Sequence, residues 1–540
     1  MSYLRVRRTA ELNRILALAR REKPCEDLTP YLRTPEGEMS LRPVQSQALF
    51  EIGTEGGLFG PMRVGAGKTL ISLLAGTVAF AERPLLLVPA KLIKKTQREG
   101  EILKQHWRFT MPKIMSYELL GRVQSAEALH EYSPDLIICD ECHKLRNKRA
   151  AVTRRVMRYL GDNQDTKVVA MSGTITKRSL HDFAHILFWC KRDGTPLPRR
   201  YVDLQTWGQA LDQLKFMQTK AHPGELRLFC NDTERKLWNT DAVRAARLAV
   251  RRRLVETPGV VATKETPIDA SLSVRLLKAE SADIDKATAR LEKWWELPDG
   301  RECIDKLEVW RHMRELALGF YYMWDPEPPP EWMKARKAWG AFVRNFLNRS
   351  RKLDSELQVR NHVMRHGSAG DLSLLKAWTD IKDSFVPNTV PVWLTDDAVD
   401  RVREWAYSHR GIVWTEHRCF SERLDITHYG RRGMNSAGGL IEDHKPGEPL
   451  SASVQSNAEG RNLQAWSKNL IVSAPPNGTQ WEQLIGRTHR DGQTADEVSF
   501  DVLYTHKCHR NALEQAIKDS RYVQDTTGSP QKLILADVSM

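Results

Sequence analysis

The sequence has no apolar run of membrane-spanning length, no short repeat and no low-complexity tail. Crossing a bilayer takes about 20 consecutive apolar residues, so no membrane partner is expected. The stretch Met1-Ser2-Tyr3-Leu4-Arg5 lacks the apolar core of a secretory signal. Cysteine is sparse, with 8 residues scattered through 540, which argues against a secreted disulfide framework. Cys139 and Cys142 have C-x-x-C spacing beside His143. A zinc site would need a second ligand pair at short range, and none follows, so the two thiols read as incidental. The expected setting is a reducing compartment. By default this is the cytoplasm of a bacterium or phage-infected cell, or the nucleus if the source is eukaryotic. Positive charge is in excess: 82 Lys and Arg stand against 68 Asp and Glu, a net of +14. Such an excess favours a polyanionic partner such as DNA or RNA.

A chain of this length should hold more than one domain. Residues 1–40 read as an N-terminal helical segment, amphipathic around Glu11 to Arg21. Residues 41–190 alternate β-type apolar runs with helical patterns. Leu85-Leu86-Leu87-Val88, Leu136-Ile137-Ile138-Cys139 and Val168-Val169-Ala170-Met171 are its candidate buried strands. Continuous apolar runs separated by helices predict an α/β fold, with a parallel sheet covered on both faces. Residues 191–375 read as a mainly helical insertion. Residues 376–540 return to the α/β pattern, with strand-like Gly411 to Trp414, Asn469 to Val472 and Val498 to Leu503, and helices at Trp481 to Arg490 and His509 to Asp519. Of the 16 tryptophans, Trp294, Trp295, Trp310, Trp324, Trp332 and Trp339 cluster in the insertion. They read first as a helical core and second as a base-stacking surface. Arg251-Arg252-Arg253 reads first as an exposed helix face and second as a phosphate contact.

Two segments carry chemistry. Gly65-Ala66-Gly67-Lys68-Thr69 has the composition of a phosphate cradle opening a helix. Its glycines allow close backbone approach, Lys68 would reach the β- and γ-phosphates of ATP, and Thr69 would hold Mg²⁺. The common pattern places a glycine where this chain has Met62. Downstream, Asp140-Glu141-Cys142-His143 closes an apolar run. Asp140 would bind Mg²⁺ and Glu141 would orient or deprotonate the attacking water. Further on, Gln483 to Gln493 offers Arg487 and Arg490, three apart. On a helix such positions share a face, and both could supply charge to a γ-phosphate. ATP would then lie between the two α/β units.

With these motifs in order, the chain resembles superfamily 2 helicases, and among them the Swi/Snf-like double-stranded DNA translocases. The resemblance covers about residues 41–188 and 395–520. Leu41-Arg42-Pro43-Val44-Gln45 matches the family's opening element, which implies that Arg42 and Gln45 bind the nucleotide, the glutamine at adenine. The family's phosphate loop also lacks the first glycine. Pro89-Ala90-Lys91-Leu92 resembles a backbone-contacting motif, and Met115-Ser116-Tyr117-Glu118 is a further family-like segment. Asp140 to Asn147 continues past the histidine in the family's manner. Met171-Ser172-Gly173-Thr174 matches the motif that couples ATP state to nucleic acid, with Ile175 where proline is usual. Gly460-Arg461-Asn462-Leu463 resembles the fifth motif, with Arg461 replacing an apolar residue and Asn457-Ala458 replacing a glycine pair. Gln483 to Gln493 matches the last motif.

The resemblance implies two RecA-like parallel-sheet lobes with the helical insertion between them, and ATP-dependent tracking along double-stranded or branched DNA. It makes His143, Ser172, Thr174 and Gln483 couplers of hydrolysis to grip, with Lys91 and Asn462 toward DNA. No reader segment is evident, so the chain reads as a nearly bare motor, which suits phage, viral or bacterial DNA processing over chromatin remodelling. Two other functions fit the same residues: a superfamily 2 RNA helicase, and an ATP-switched DNA clamp without processive movement. Protein partners, direction of travel and oligomeric state are not encoded in any motif present.

Overall fold

Each strand of the first sheet sends alternate side chains into two different cores. Leu85, Leu87, Ile137, Cys139, Val168 and Ala170 enter one cluster. Leu86, Val88, Leu136, Ile138, Val169 and Met171 enter another. A strand whose neighbours alternate faces at period two, with both faces apolar, must lie in the middle of a layered structure. This explains why the apolar runs are continuous.

The computed structural model describes residues 4–22, 25–63, 65–213, 220–263, 270–301, 303, 306–349, 356–386, 388–458 and 460–540. Val64 of the phosphate loop lies outside these residues. The protein is mixed α/β and built on parallel sheets. It divides into two compact units, Met1–Pro267 with Ile517–Leu535, and Ile268–Ala516 with Ala536–Met540.

The first unit holds a five-stranded sheet of β1 (Leu58–Gly60), β2 (Pro84–Val88), β3 (Lys113–Ser116), β4 (Leu136–Asp140) and β5 (Lys167–Met171). Their order is β1-β5-β4-β2-β3, and every pairing is parallel. The N-terminal helix Ala10–Ala17 belongs to this unit rather than to a separate segment. It ends well before Arg21 because Leu18 turns to extended backbone, while Arg21 pairs with Glu51. The arginine triplet is spent on the same packing. Arg253 is buried and donates to the carbonyls of Ile15, Leu18 and Ala19, and Arg252 pairs with Glu234 at 3.0 Å.

The second unit holds β6 (Ser271–Lys278), β9 (Ile412–Thr415), β10 (Thr427–Tyr429), β11 (Leu450–Ser453), β12 (Lys468–Ile471), β13 (Glu497–Tyr504) and β14 (Asp537–Ser539). They form one parallel sheet in the order β10-β11-β9-β12-β13-β6-β14. Strands β7 (Phe320–Trp324) and β8 (Thr389–Trp393) form a separate antiparallel pair.

The expected helical insertion at 191–375 is therefore divided. Residues 191–267 belong to the first unit, while β6, in the remainder, joins the second unit's sheet and pairs with β13 over eight positions, from Ser271 opposite Glu497 to Lys278 opposite Tyr504. The rest is largely helical, and its tryptophans split. Trp332 and Trp339 are buried with Phe385 and Phe342 beside them, whereas Trp294 and Trp310 are exposed. Among the described residues, no helix is long and apolar enough to cross a membrane.

One buried histidine makes a testable mark on stability. His509 is fully buried, its Nε2 has no hydrogen-bond partner among the described residues, and its pKa is pushed down to about 3, by burial first and by the Arg314 guanidinium second. The unfolded chain takes up that proton near pH 6.5, so between these values it binds more protons than the fold. Stability from this group is complete above pH 6.5 and drains as pH falls toward 3, by several kcal/mol at the acid end. His509→Gln is expected to flatten the decline in urea-melt stability over that range. A parent and variant with parallel pH profiles would remove His509 as the cause.

Candidate nucleotide site and its coupled residues

The first unit's site begins where β1 ends. The chain runs into the helix Lys68–Ala79 through a loop in which Gly65 and Gly67 have φ of +90° and +76°. L-residues avoid that region. Two side chains from the opening element brace the loop. Arg42 Nη1 donates to the Gly65 carbonyl at 2.7 Å, and Gln45 Nε2 donates to the Gly67 carbonyl at 3.3 Å. Gln45 Oε1 in turn accepts from the Arg42 backbone N–H at 2.8 Å. Expected from the resemblance as nucleotide-binding residues, Arg42 and Gln45 are placed against the cradle itself.

A Cβ on Gly67 would meet Gln45 Nε2 at 2.1 Å. Gly67→Ala is therefore expected to expel Gln45 and to cost about 1–2 kcal/mol from the left-handed backbone alone. Chemical denaturation of the two proteins checks it, and unchanged stability would count against this loop geometry.

Lys68 is buried at the helix start. Its ammonium donates to the carbonyls of Arg63 and Met62 at 3.1 and 3.4 Å and stands 3.9 Å from Glu141 Oε1. Ala66 is buried and Thr69 half-buried beside it.

Asp140 ends β4, and its carbonyl accepts from the buried Tyr117 hydroxyl at 2.7 Å. Glu141 follows with φ +56°, a strained setting for a non-glycine residue and one that clusters at functional sites. The Glu141 carboxylate is gripped from both sides. Oε1 faces Lys68, while Oε2 takes Ser172 Oγ at 2.9 Å and lies 3.1 Å from His143 Nδ1. Ser172 Oγ and His143 Nδ1 are 3.0 Å apart, and Thr174 closes the group with Oγ1 3.3 Å from His143 Nδ1 and its N–H on Ser172 Oγ at 3.2 Å. Asp140, Glu141, His143, Ser172 and Thr174 are thus brought into one hydrogen-bonded set, with the Lys68 ammonium 3.9 Å from it.

Burial, with the Glu141 carboxylate as second cause, raises the Asp140 pKa. At Glu141 burial works the other way from the net result. The Lys68 ammonium and His143 outweigh it and hold the carboxyl well below its usual range. A carboxyl beside a carboxylate is the harder to ionise, which adds to burial at Asp140.

Lys91 is exposed on the short turn Ala90–Leu92 that leaves β2. The preceding turn is held by Glu118, which accepts from the Ala90 N–H at 2.8 Å. Reading the sequence missed Tyr117, Glu118 and Arg146 as supports. Arg146 donates to the carbonyls of His143 and Thr174.

Comparison with protein-family models and with curated proteins finds no match. The likeness to a helicase family is carried by the motif residues alone.

In the second unit, the last motif departs from the expected helix over Trp481 to Arg490. The helix is Gly478–Thr488, capped at its start by the Asn477 side chain on the Gln480 N–H at 3.0 Å. His489 leaves helical backbone, so Arg490 lies beyond the end. Arg487 and Arg490 converge all the same, because both guanidiniums donate to the Arg461 carbonyl, at 3.0 and 3.3 Å. Arg490 also donates to Asn462 Oδ1 at 2.5 Å, and Arg487 to the Gln483 carbonyl at 2.9 Å.

The motif departures have structural work. Arg461 binds Glu442 at 2.9 Å and the Arg432 carbonyl, pinning the segment 431–449. Asn457, in place of a glycine, is fully buried and donates to the carbonyls of Tyr429, Gly430 and Ser453.

Proposed function

We propose that the chain is a DNA-dependent ATPase, a superfamily 2 motor of the Swi/Snf-like kind with two RecA-like lobes, which turns ATP hydrolysis into movement along double-stranded or branched DNA. One observation carries the reading most. The lysine of the glycine-rich loop and the pair Ser172–His143 hold opposite oxygens of the same carboxylate, Glu141. A phosphate-sensing cation and a coupling motif thereby share one titratable group.

The residues fit ATP with Mg²⁺. The cradle has no room for a Cβ at Gly67, its helix N-terminus favours phosphate, and Thr69 with Asp140 would hold the metal. Mg²⁺ would neutralise developing charge on the phosphates. A carboxylate held at low pKa is a weak base, so Glu141 in the described arrangement serves better to orient water than to take its proton. Its strongest cationic neighbour is Lys68. When Lys68 turns from Glu141 to a phosphate, that restraint lifts and Glu141 becomes the better base. Hydrolysis is thus gated by whether Lys68 has a phosphate to bind. Ser172 and His143 report the state of Glu141 to the Thr174 turn.

The partner is DNA by two supports, the excess of positive charge and the motif continuations at His143 to Asn147 and His489 to Gln493. Steady-state ATP turnover with duplex, forked and single-stranded DNA and with RNA tests the reading. Duplex DNA should raise turnover most. Stimulation by RNA alone would favour an RNA helicase. ATPase activity without triplex displacement on a long duplex would favour a clamp, and no nucleic-acid response at all would end the reading.

A further inference from the structure

The positive charge of this protein is not shared between its units. The first unit carries 48 Lys and Arg against 31 Asp and Glu, a net of +17, and the second carries 34 against 37, a net of −3. Part of that excess gathers beside the Glu141 clamp. Arg146 donates Nε to the His143 carbonyl at 3.1 Å and Nη1 to the Thr174 carbonyl at 3.4 Å, so one guanidinium bridges the two turns that hold the clamp.

Lys148 follows two residues later and is half-buried, and among the described residues no acid pairs with it. Removing an ammonium from water without a counter-charge is costly, so this position is favourable mainly when an anion arrives. Lys177, three residues past Thr174, is exposed. Its amine is nevertheless held below its usual pKa by the water its surroundings exclude and next by the Arg146 guanidinium. His181 is close enough to Lys148 to be disfavoured as a cation, after burial. Its ring packs at 6.0 Å on Tyr201, which is 66% exposed. Three acids near the cluster have partners: Asp519 pairs with Arg178 at 2.8 Å, the Asp182 carboxylate accepts from Thr176 and the Lys177 N–H, and Asp212 accepts from Ser179, the Leu180 N–H and Tyr522. Cations interleaved with an exposed aromatic suit a nucleic-acid backbone.

We propose that Arg146, Lys148 and Lys177 form a contact site for nucleic-acid phosphates, and that Arg146 passes its occupancy to the Glu141 clamp. This rests on the proposed motor reading and names how that motor would sense its track. Lys148 and Lys177 supply affinity. Arg146 acts as a positioning residue, since a phosphate drawing on its guanidinium shifts the His143 and Thr174 carbonyls that it bridges. These belong to the residues holding Glu141 Oε2.

The test uses the full chain and a fluorescein-labelled duplex oligonucleotide, with binding followed by anisotropy across a salt series and ATP turnover measured with and without the duplex. The double variant Lys148→Ala/Lys177→Ala should lower the slope of log affinity against log salt by about 2, near one unit for each phosphate that the protein no longer neutralises. Lys104→Ala, which removes a charge from the exposed turn after the helix Ile93–Leu103, should leave the slope unchanged. Arg146→Lys keeps the charge but lacks the rigid planar fork that fixes the spacing of the two carbonyls. It should keep the parent's slope while the ratio of turnover with duplex to turnover without falls on the order of ten-fold, a readout that a merely structural role would not move. Arg146→Ala should lose both.

An unchanged slope in the double variant, in a protein whose turnover the duplex does stimulate, would overturn the site and leave the motor reading standing. A double variant that instead raised the KM for ATP would assign the lysines to nucleotide phosphates and overturn it too. A parent protein that neither binds nor responds to any nucleic acid would bring down both.

Discussion

Glu141→Gln is expected to lower ATP turnover by about 10²–10⁴-fold while leaving ATP affinity within a few-fold of the parent. Glutamine matches the size of glutamate, and its side-chain carbonyl can still accept from Ser172 Oγ, which now stands 2.9 Å from Glu141 Oε2. The clamp's shape should persist. What disappears is the negative charge. Lys68 then has no carboxylate opposite it at 3.9 Å and is freer to meet a phosphate, so binding does not suffer, and the variant should accumulate in the ATP-bound state. Lys68→Ala should behave differently. It removes the cation that meets phosphate and the chief restraint on Glu141, so it loses both binding and turnover. Equilibrium titration with a fluorescent ATP analogue, beside single-turnover hydrolysis, separates the two variants. Turnover of Glu141→Gln within ten-fold of the parent would sink the catalytic assignment.

The clamp was only half visible in the sequence. Glycine-rich loop, acidic pair and Ser-Gly-Thr motif each announce themselves by composition, because phosphate, metal and hydroxyl chemistry restrict the residue types that serve. Their meeting is set by sheet order. Asp140 and Met171 are register partners on adjacent parallel strands, and no periodicity in either segment says that the strands neighbour each other. The left-handed backbone at Glu141 is equally silent, since nothing in the side chain requires it.

Strands with two apolar faces were found within a residue or so, because Leu136 to Cys139 and Val168 to Met171 are apolar on both. β6 was not, although Ser271-Leu272-Ser273-Val274 alternates polar and apolar at the period of a strand. Its alternation is broken at Leu276-Leu277 and it lies among charged helical patterns, so a reading by composition passes over it. β1 and β10 have three residues each, too few to show any period. The odd residues Asn457 and Arg461 looked like erosion of a motif, and the structure gives them partners instead. Asn457 ties the end of β10, by two hydrogen bonds, to the end of β11, by one, and Arg461 anchors the segment that carries Glu442.

Arg490→Ala is expected to keep ATP binding and lose on the order of 10³-fold in turnover, the lower end of what an arginine meeting γ-phosphate charge contributes. The choice of Arg490 over Arg487 follows from their surroundings. Arg487 is buried within its helix and spends Nε on the Gln483 carbonyl and Nη1 on the Arg461 carbonyl. Removing it takes away a buried side chain and the shorter of the two guanidinium contacts to the Arg461 carbonyl, at a cost of about 1–3 kcal/mol. Arg487→Ala should therefore lower the melting temperature along with activity, and its kinetic loss cannot be separated from damage to the fifth motif. Arg490 is half-buried past the helix end, where its own carbonyl accepts from the Gln493 N–H at 3.0 Å. It is positioned by side-chain and carbonyl contacts to Asn462 and Arg461.

A guanidinium held by contacts to neutral oxygens such as these can leave them for a stronger anion, as a phosphate-meeting guanidinium must. Asn462→Ala gives the companion result. Releasing the Asn462 contact should loosen Arg490 without removing it, so kcat should fall by about ten-fold while the KM for ATP stays near the parent's, the pattern of a weakened transition-state interaction. An Arg490→Ala protein turning over ATP at close to the parent rate, with an unchanged melting temperature, would show that this guanidinium serves only to join the last motif to the fifth.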